Sequence, residues 1–272
     1  MSRVVNPPIV MTNAGIDALY SFQALDEHGD YRDIALTGER PLTIYLDKRE
    51  IVTLMTMGAQ PELLTLGYLR NQGLVAEIED VIAVQVDWGV EAVAVTTRQQ
   101  VSNIDAKLAK RTVTSGCGQG TMFGDVMASL AQLSVTCPSF SSDVIYQVLS
   151  GLQDYNQMYK TAGAVHGCAL CSMDGKVDIF VEDVGRHNAV DAISGWMWLE
   201  KVSGKNKVFY TTGRLTSEMV IKVAQMAVPL LLSRSGATEM GLQIAQQTGI
   251  GLVARAKGKH FLVFNGFEYF LK

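Results

Sequence analysis

"KVFYTTGRLTSEMVIKVAQMAVPLLLSRSGATEMGLQIAQQTGIGLVAR", residues 207–255, decides the fold. Three short apolar runs, KVFYTT (207–212), VPLLLS (228–233) and GLVAR (251–255), alternate with amphipathic stretches that predict helices from about Ser217 and from about Thr238. Unbroken apolar runs of this length read as strands covered on both faces. Strand and helix in strict alternation mean βαβ units and a mostly parallel sheet. Working outward, VDIFVED (177–183) is a further strand, followed by a helix from about Asn188. HFLVFN (260–265) closes a hairpin with 251–255 over AKGK. Upstream, SSDVIYQVLSGLQDYNQMY (141–159) carries a helical stripe of Val144, Ile145, Val148, Leu149 and Leu152 behind serine caps.

The first hundred residues have another rhythm. PLTIYLDKREIVTLM (41–55) is two alternating runs joined at Asp47–Glu50, a hairpin signal. QPELLTLGYLRNQGLV (60–75) predicts a helix, with Pro61 and Glu62 in its first turn and Gly73 as its stop. DVIAVQVDWGVEAVAVTT (80–97) predicts a second hairpin turning near Trp88-Gly89. The chain therefore divides into an N-terminal α+β domain, residues 1–125, and an α/β domain, residues 126–272, with 100–140 as the join.

Of the 272 residues, 48% are hydrophobic and 18% charged, so a filled core is expected rather than disorder. A net charge of −4 argues against general binding to nucleic acid or anionic membrane. MSRVVNPPIV does not read as a signal peptide, and no stretch approaches the ~18 apolar residues of a membrane span. A soluble, cytoplasmic protein is expected, its four cysteines reduced.

Ligands of open α/β sheets bind beyond the carboxyl ends of the strands. The residues that follow the strands here are EDVGRHN with Glu182, Asp183, Arg186 and His187; TTGRLTSE with Arg214, Thr216 and Ser217; and SRSGATE with Arg234 and Ser235. The last hairpin turns through Arg255, Ala256, Lys257, Gly258, Lys259 and His260. Any single arginine could solvate a loop or pair with a neighbouring carboxylate. As a set, next to helix N-termini that favour anions, they point to a polyanionic ligand such as a pyrophosphate-linked nucleotide.

TVTSGCGQG (112–120) sets Cys117 among glycines, which leave the sulfur open and can turn consecutive backbone N–H groups toward a thiolate. A tight turn without a role is the plain alternative. VHGCALC (165–171) offers His166, Cys168 and Cys171 as zinc ligands. The competing reading places both cysteines on one face of a buried helix. Cys137, before Pro138, carries no signal.

Several of these motifs, TSGCGQG, EDVGRHNAVD, the long stretch from TTGRLTSE through ARAKGKHFLVF, and ERPLTIYLDKREIVTLMTMGAQPELLTLGYLRNQGLV, together resemble the formate dehydrogenase accessory sulfurtransferase family, from about Glu39 to Asn265. The resemblance implies a cytidine-deaminase-like three-layer α/β/α domain behind a smaller α+β domain, commonly as a homodimer. It implies a sulfur carrier that takes sulfur from a cysteine desulfurase as a Cys117 persulfide. The sulfur goes to the molybdenum bis(molybdopterin guanine dinucleotide) cofactor of formate dehydrogenase, bound as a client. No permanently held metal is expected. The family's cofactor-binding turn falls on 255–260, and its arginine loops on Arg186, Arg214 and Arg234. Many members have a second cysteine three residues after the first, where this chain has Gly120; Cys168 and Cys171 stand where small non-thiol residues are expected. The alternatives are a cofactor chaperone that needs no thiol and a zinc hydrolase built on His166, Cys168 and Cys171.

Overall fold

Asp47 and Lys48 both take positive φ, 47° and 73°, the backbone that a two-residue hairpin turn requires at its two central positions. They join β4 (Arg40–Leu46) to β5 (Arg49–Thr56) as the alternation predicts. The computed structural model describes residues 8–101, 104, 112–113, 120–121 and 133–271. Its first sheet contains these two strands with β1 (Val10–Met11), β6 (Val81–Asp87) and β7 (Ala92–Thr97), in the order β1-β6-β7-β4-β5. An antiparallel ribbon, β2 (Leu19–Leu25) and β3 (Tyr31–Thr37), stands apart from it. Helix α1 (Pro61–Asn71) ends where Gly73, at φ 63°, lets the Gly73 and Leu74 N–H groups donate back to Arg70 and Leu69.

Of the segment 102–132, the described backbone includes a short pairing of β8 (Thr112–Val113) with β9 (Gly120–Thr121). Cys117 and the domain boundary at 125 lie outside the described residues. Next come β10 (Phe140–Ser141), α2 (Ser142–Gly151) and α3 (Gln157–Ala162).

The second sheet has six strands: β11 (His166–Ser172), β12 (Val177–Asp183), β13 (Lys207–Thr211), β14 (Leu230–Ser233), β15 (Gly251–Lys257) and β16 (His260–Asn265), ordered β12-β11-β13-β14-β15-β16. Its interleaved helices are α4 (Arg186–Leu199), α5 (Ser217–Gln225) and α6 (Glu239–Thr248), and β17 (Phe270–Leu271) ends the chain against β10. The expectation of a mostly parallel sheet is corrected here. Only β13–β14 and β14–β15 pair in parallel; the other three pairings are antiparallel. The cause is β11, the VHGCALC segment, which is a strand rather than a helix and inserts antiparallel between β12 and β13. Since it reverses direction twice, β12, β13, β14 and β15 still point the same way. Their carboxyl ends, with the start of β11, share one edge.

Both faces of this sheet are covered. Cys168, Leu170, Phe209, Leu231 and Leu252 face the core shared with α4–α6, whereas Ala169, Cys171, Tyr210, Leu232 and Val253 face a second core with Ile145 and Val148 of α2. The first core continues through α1 into the N-terminal sheet, so the two halves share one interior. Their contact is the α1–α4 crossing. A Cβ on Gly67 would stand 1.6 Å from the Asp191 carbonyl oxygen, and one on Gly195 2.0 Å from that of Leu63. Glycine is required at both positions because backbone meets backbone there. Beside the crossing a buried ionic chain fastens α1, α4 and α5. Lys222 Nζ lies 2.8 Å from Asp191 and 3.4 Å from Glu218, and Asn71 Nδ2 donates to Asp191 at 2.7 Å. Burial alone would lower the Lys222 pKa, but the two carboxylates outweigh it and hold the ammonium above its ordinary value.

Candidate functional site

The arginines reach the common edge of the strands, and the carboxylates beside them are engaged elsewhere. Asp183, at the end of β12, accepts from Thr56 Oγ1 at 2.6 Å, Met57 N–H at 3.1 Å, Gly185 N–H at 2.9 Å and Asn188 Nδ2 at 2.7 Å. Burial raises its pKa and these four donors pull it back. Glu182 accepts from the N–H groups of Met158 and Tyr159, at 3.2 and 3.0 Å, at the start of α3. Among the described residues none of Arg186, Arg214, Arg234 or Arg255 has a carboxylate within ion-pair distance. Among the described residues the edge is thus a ledge of positive charge without paired carboxylates, on a protein of net charge −4.

Two clefts open on this ledge. One, of about 570 Å³, is lined by Tyr146, Asn156, Tyr159, Lys160, Tyr210, Arg234 and the turn Ala256–Lys259. The other, of about 580 Å³, is lined by His166, Thr212, Arg234, Ser235, Lys257 and again Tyr159. Arg234, Lys257 and Tyr159 belong to both and form the partition. Arg234 is exposed and its guanidinium lies close to the buried Tyr210 hydroxyl, whose pKa burial pushes up to about 12 and the guanidinium pulls back. Arg255 has φ 56° and its N–H donates to the Ser235 carbonyl, which ties the end of β15 to the loop after β14.

The remaining predicted residues divide. Arg214 is exposed, and its charge helps to lower the His166 pKa; Ser217 is half-buried at the first turn of α5; His260 is exposed at the start of β16. Arg186 is different, since only 6% of its surface is exposed and neither Nε nor Nη2 has a hydrogen-bond partner among the described residues. Leaving buried donors unmet is costly, so an orphaned guanidinium at a ligand edge marks a place for an oxyanion. His187 turns away from the clefts into the framework. Its Nε2 lies 3.5 Å from Glu218, and burial pushes its pKa down to about 3.

The alternatives at 165–171 are settled by the strand. Residues 168 and 171 of a strand point to opposite faces, and the two cysteines indeed enter different cores. His166, Cys168 and Cys171 cannot close on one metal. Burial pushes both thiols up to about 12 and that of Cys137 to about 11. None of the three is a usable thiolate near neutral pH. Sequence reading missed the lining residues Tyr146, Tyr159, Lys160, Tyr210 and Thr212. Of these only Thr212 had a local signal, standing beside Gly213 and Arg214 just past a strand end.

Comparison with known proteins adds a second line of evidence. The FdhD/NarQ family matches residues 37–270. A protein of Listeria monocytogenes named sulfur carrier protein FdhD is 30% identical over 250 residues, covering 89% of this chain and 94% of its own. Its counterpart in Wolinella succinogenes is 28% identical over 233 residues, covering 85% of this chain and 80% of its own. A crystal structure from Desulfotalea psychrophila, assigned as a formate dehydrogenase accessory protein, superimposes with a TM-score of 0.73 at 26% identity. That superposition covers 95% of this chain and all (100%) of the other.

Proposed function

Because the chain belongs to the FdhD/NarQ family, we propose that it is a sulfur carrier for formate dehydrogenase whose carrying atom is Cys117 Sγ. In this reading the Cys117 thiolate attacks the terminal sulfur of a cysteine desulfurase persulfide. A new S–S bond forms on Cys117, the old one breaks, and the desulfurase thiolate leaves with the electron pair. The carried sulfur then passes to the molybdenum bis(molybdopterin guanine dinucleotide) cofactor, which is cargo rather than a resident group. The S–S bond breaks and Cys117 leaves as its thiolate with the electron pair. The sulfur takes from the reduced metal centre of the cargo the two electrons that make it sulfide. The same family membership carries the expectation of a homodimer.

The observation that supports Cys117 most directly concerns the other three cysteines, all buried with raised pKa values. A carrier needs a thiol that a partner can reach and that ionises near neutral pH. The ledge supports the choice of cargo. Exposed guanidinium and ammonium groups on two adjoining clefts, with a buried guanidinium whose donors are unmet, suit pyrophosphate oxygens. Tyrosines and an amide in the first cleft suit a planar base.

Intact-protein mass spectrometry after incubation with a cysteine desulfurase and cysteine tests the proposal. One added sulfur atom is expected on the wild type and on Cys168→Ala, and none on Cys117→Ala. Sulfur retained on Cys117→Ala would overturn it. Formate dehydrogenase activity that survives Cys117→Ala in cells, but not loss of Arg214 and Arg234, would favour a chaperone that needs no thiol.

A further inference from the structure

His166 opens β11, half-buried, and lines the second cleft with its Nδ1 3.4 Å from Thr212 Oγ1. The Arg186 side chain runs along Gly213, where a Cβ would stand 2.7 Å from Arg186 Cδ, and its charge is felt at the His166 ring. Gly213 thus keeps open the path by which this guanidinium reaches the edge. The end of α4 adds to the positive field: its N-cap is Gly185, without a side-chain cap, and its first turn contains no acidic residue. Of the carboxylates on the adjoining elements, Asp183 is engaged by its four donors and Glu218 lies 3.4 Å from the Lys222 ammonium.

We infer that His166 is a ligand contact: with Arg186, Arg214 and Thr212 it forms a subsite for one oxyanion group of the anionic cargo, and its ring gains a proton as that group arrives. The inference rests on the anion-binding reading of the ledge and adds both a residue and a linkage to it. Burial, then the charges of Arg186 and Arg214, hold the His166 pKa below its ordinary value, so the free ring is neutral near pH 7. The groups around it are Thr212 after β13, Arg186 on α4, Arg214 before α5, Arg234 and Ser235 after β14, Lys257 on β15 and Tyr159 on α3. Asp183 is its register partner on β12. An oxyanion seated between the guanidinium groups cancels their share of the effect and sets a negative charge beside the ring that offsets its burial. The ring then takes a proton from solvent. Affinity is accordingly higher at low pH and falls as pH rises through the midpoint of the bound form.

Inorganic pyrophosphate is the probe, and the readout is the ring proton resonance of His166 in the full chain. The protein has four histidines, and the resonance is assigned by its loss in His166→Asn or, should that variant not fold, by elimination with His28→Asn, His187→Asn and His260→Asn. Saturating pyrophosphate is expected to raise the titration midpoint of His166 by about one pH unit or more, equivalent to about tenfold tighter binding to the protonated form. Correspondingly, His166→Asn should weaken pyrophosphate binding about threefold more at pH 6 than at pH 8, the gap widening toward about tenfold as pH falls below the midpoint of the free ring. Pyrophosphate that binds while the His166 midpoint stays fixed overturns the inference and leaves the ledge as the anion site. Equal weakening at both pH values overturns the proton linkage. No measurable binding at either pH overturns both the inference and the anion-binding reading beneath it.

Discussion

Two buried cations lie on helices of the same sheet face, and they live differently. Lys222 on α5 is 3% exposed and sits between two carboxylates. Arg186 on α4 is 6% exposed and leaves two of its donors unmet. Desolvating a charge costs several kcal/mol, which a well-placed counter-ion repays. The repaid charge belongs to the framework. The other lies at a strand-tip edge with no carboxylate paired to it among the described residues, which is where a ligand would supply the missing partner. Burial alone does not separate structure from site, whereas satisfaction does.

This contrast can be broken from the framework side first. Gly67→Val should yield no folded protein by circular dichroism, because its Cβ would overlap the Asp191 carbonyl at the helix crossing. Lys222→Met leaves Asp191 and Glu218 buried without their cation and should cost about 3–5 kcal/mol in urea unfolding. His187 supplies a smaller, pH-dependent loss. Its folded pKa of about 3 lies below the ordinary 6.5, so the folded state binds fewer protons than the unfolded one. The stability this gives is complete above pH 6.5 and is lost as pH falls toward 3. His187→Asn should therefore flatten the melting-temperature profile below pH 6.5, by the equivalent of about 2 kcal/mol between pH 6.5 and 5. Arg186→Met sharpens the comparison with the smallest stability change. Unfolding should shift by only about 1 kcal/mol, in the stabilising direction, since a desolvated unpaired charge is removed. Pyrophosphate affinity should fall at least tenfold in the same variant. A large destabilisation with unchanged affinity would place Arg186 in the framework with Lys222.

Much of the fold was readable because its elements carry strong local marks. Turn residues Asp47 and Lys48, Pro61 with Gly73, and apolar runs of strand length located the hairpins and the alternating elements. The direction of β11 was not readable. "HGCALC" is short, small and apolar throughout, so it lacks a period that would separate strand from helix, and its antiparallel insertion is set by neighbours distant in the sequence. At the site, the arrival of arginines at one edge followed from strand direction. Which arginine is buried did not, because that depends on Gly213 making room for Arg186. The engagement of Asp183 by Thr56, 127 positions away, likewise has no local signature. Gly67 reads in sequence as an ordinary helical position, and its partner Gly195 lies in another half of the chain.

The single carboxylate of Asp183 clasps Thr56 and Met57 of the first sheet as well as the opening turn of α4. Heredity cannot therefore treat the two halves of this protein as interchangeable cassettes. A chimera that imports a foreign first half must bring a matching hydroxyl and amide to that oxygen, or the opening turn of α4 loses its alignment.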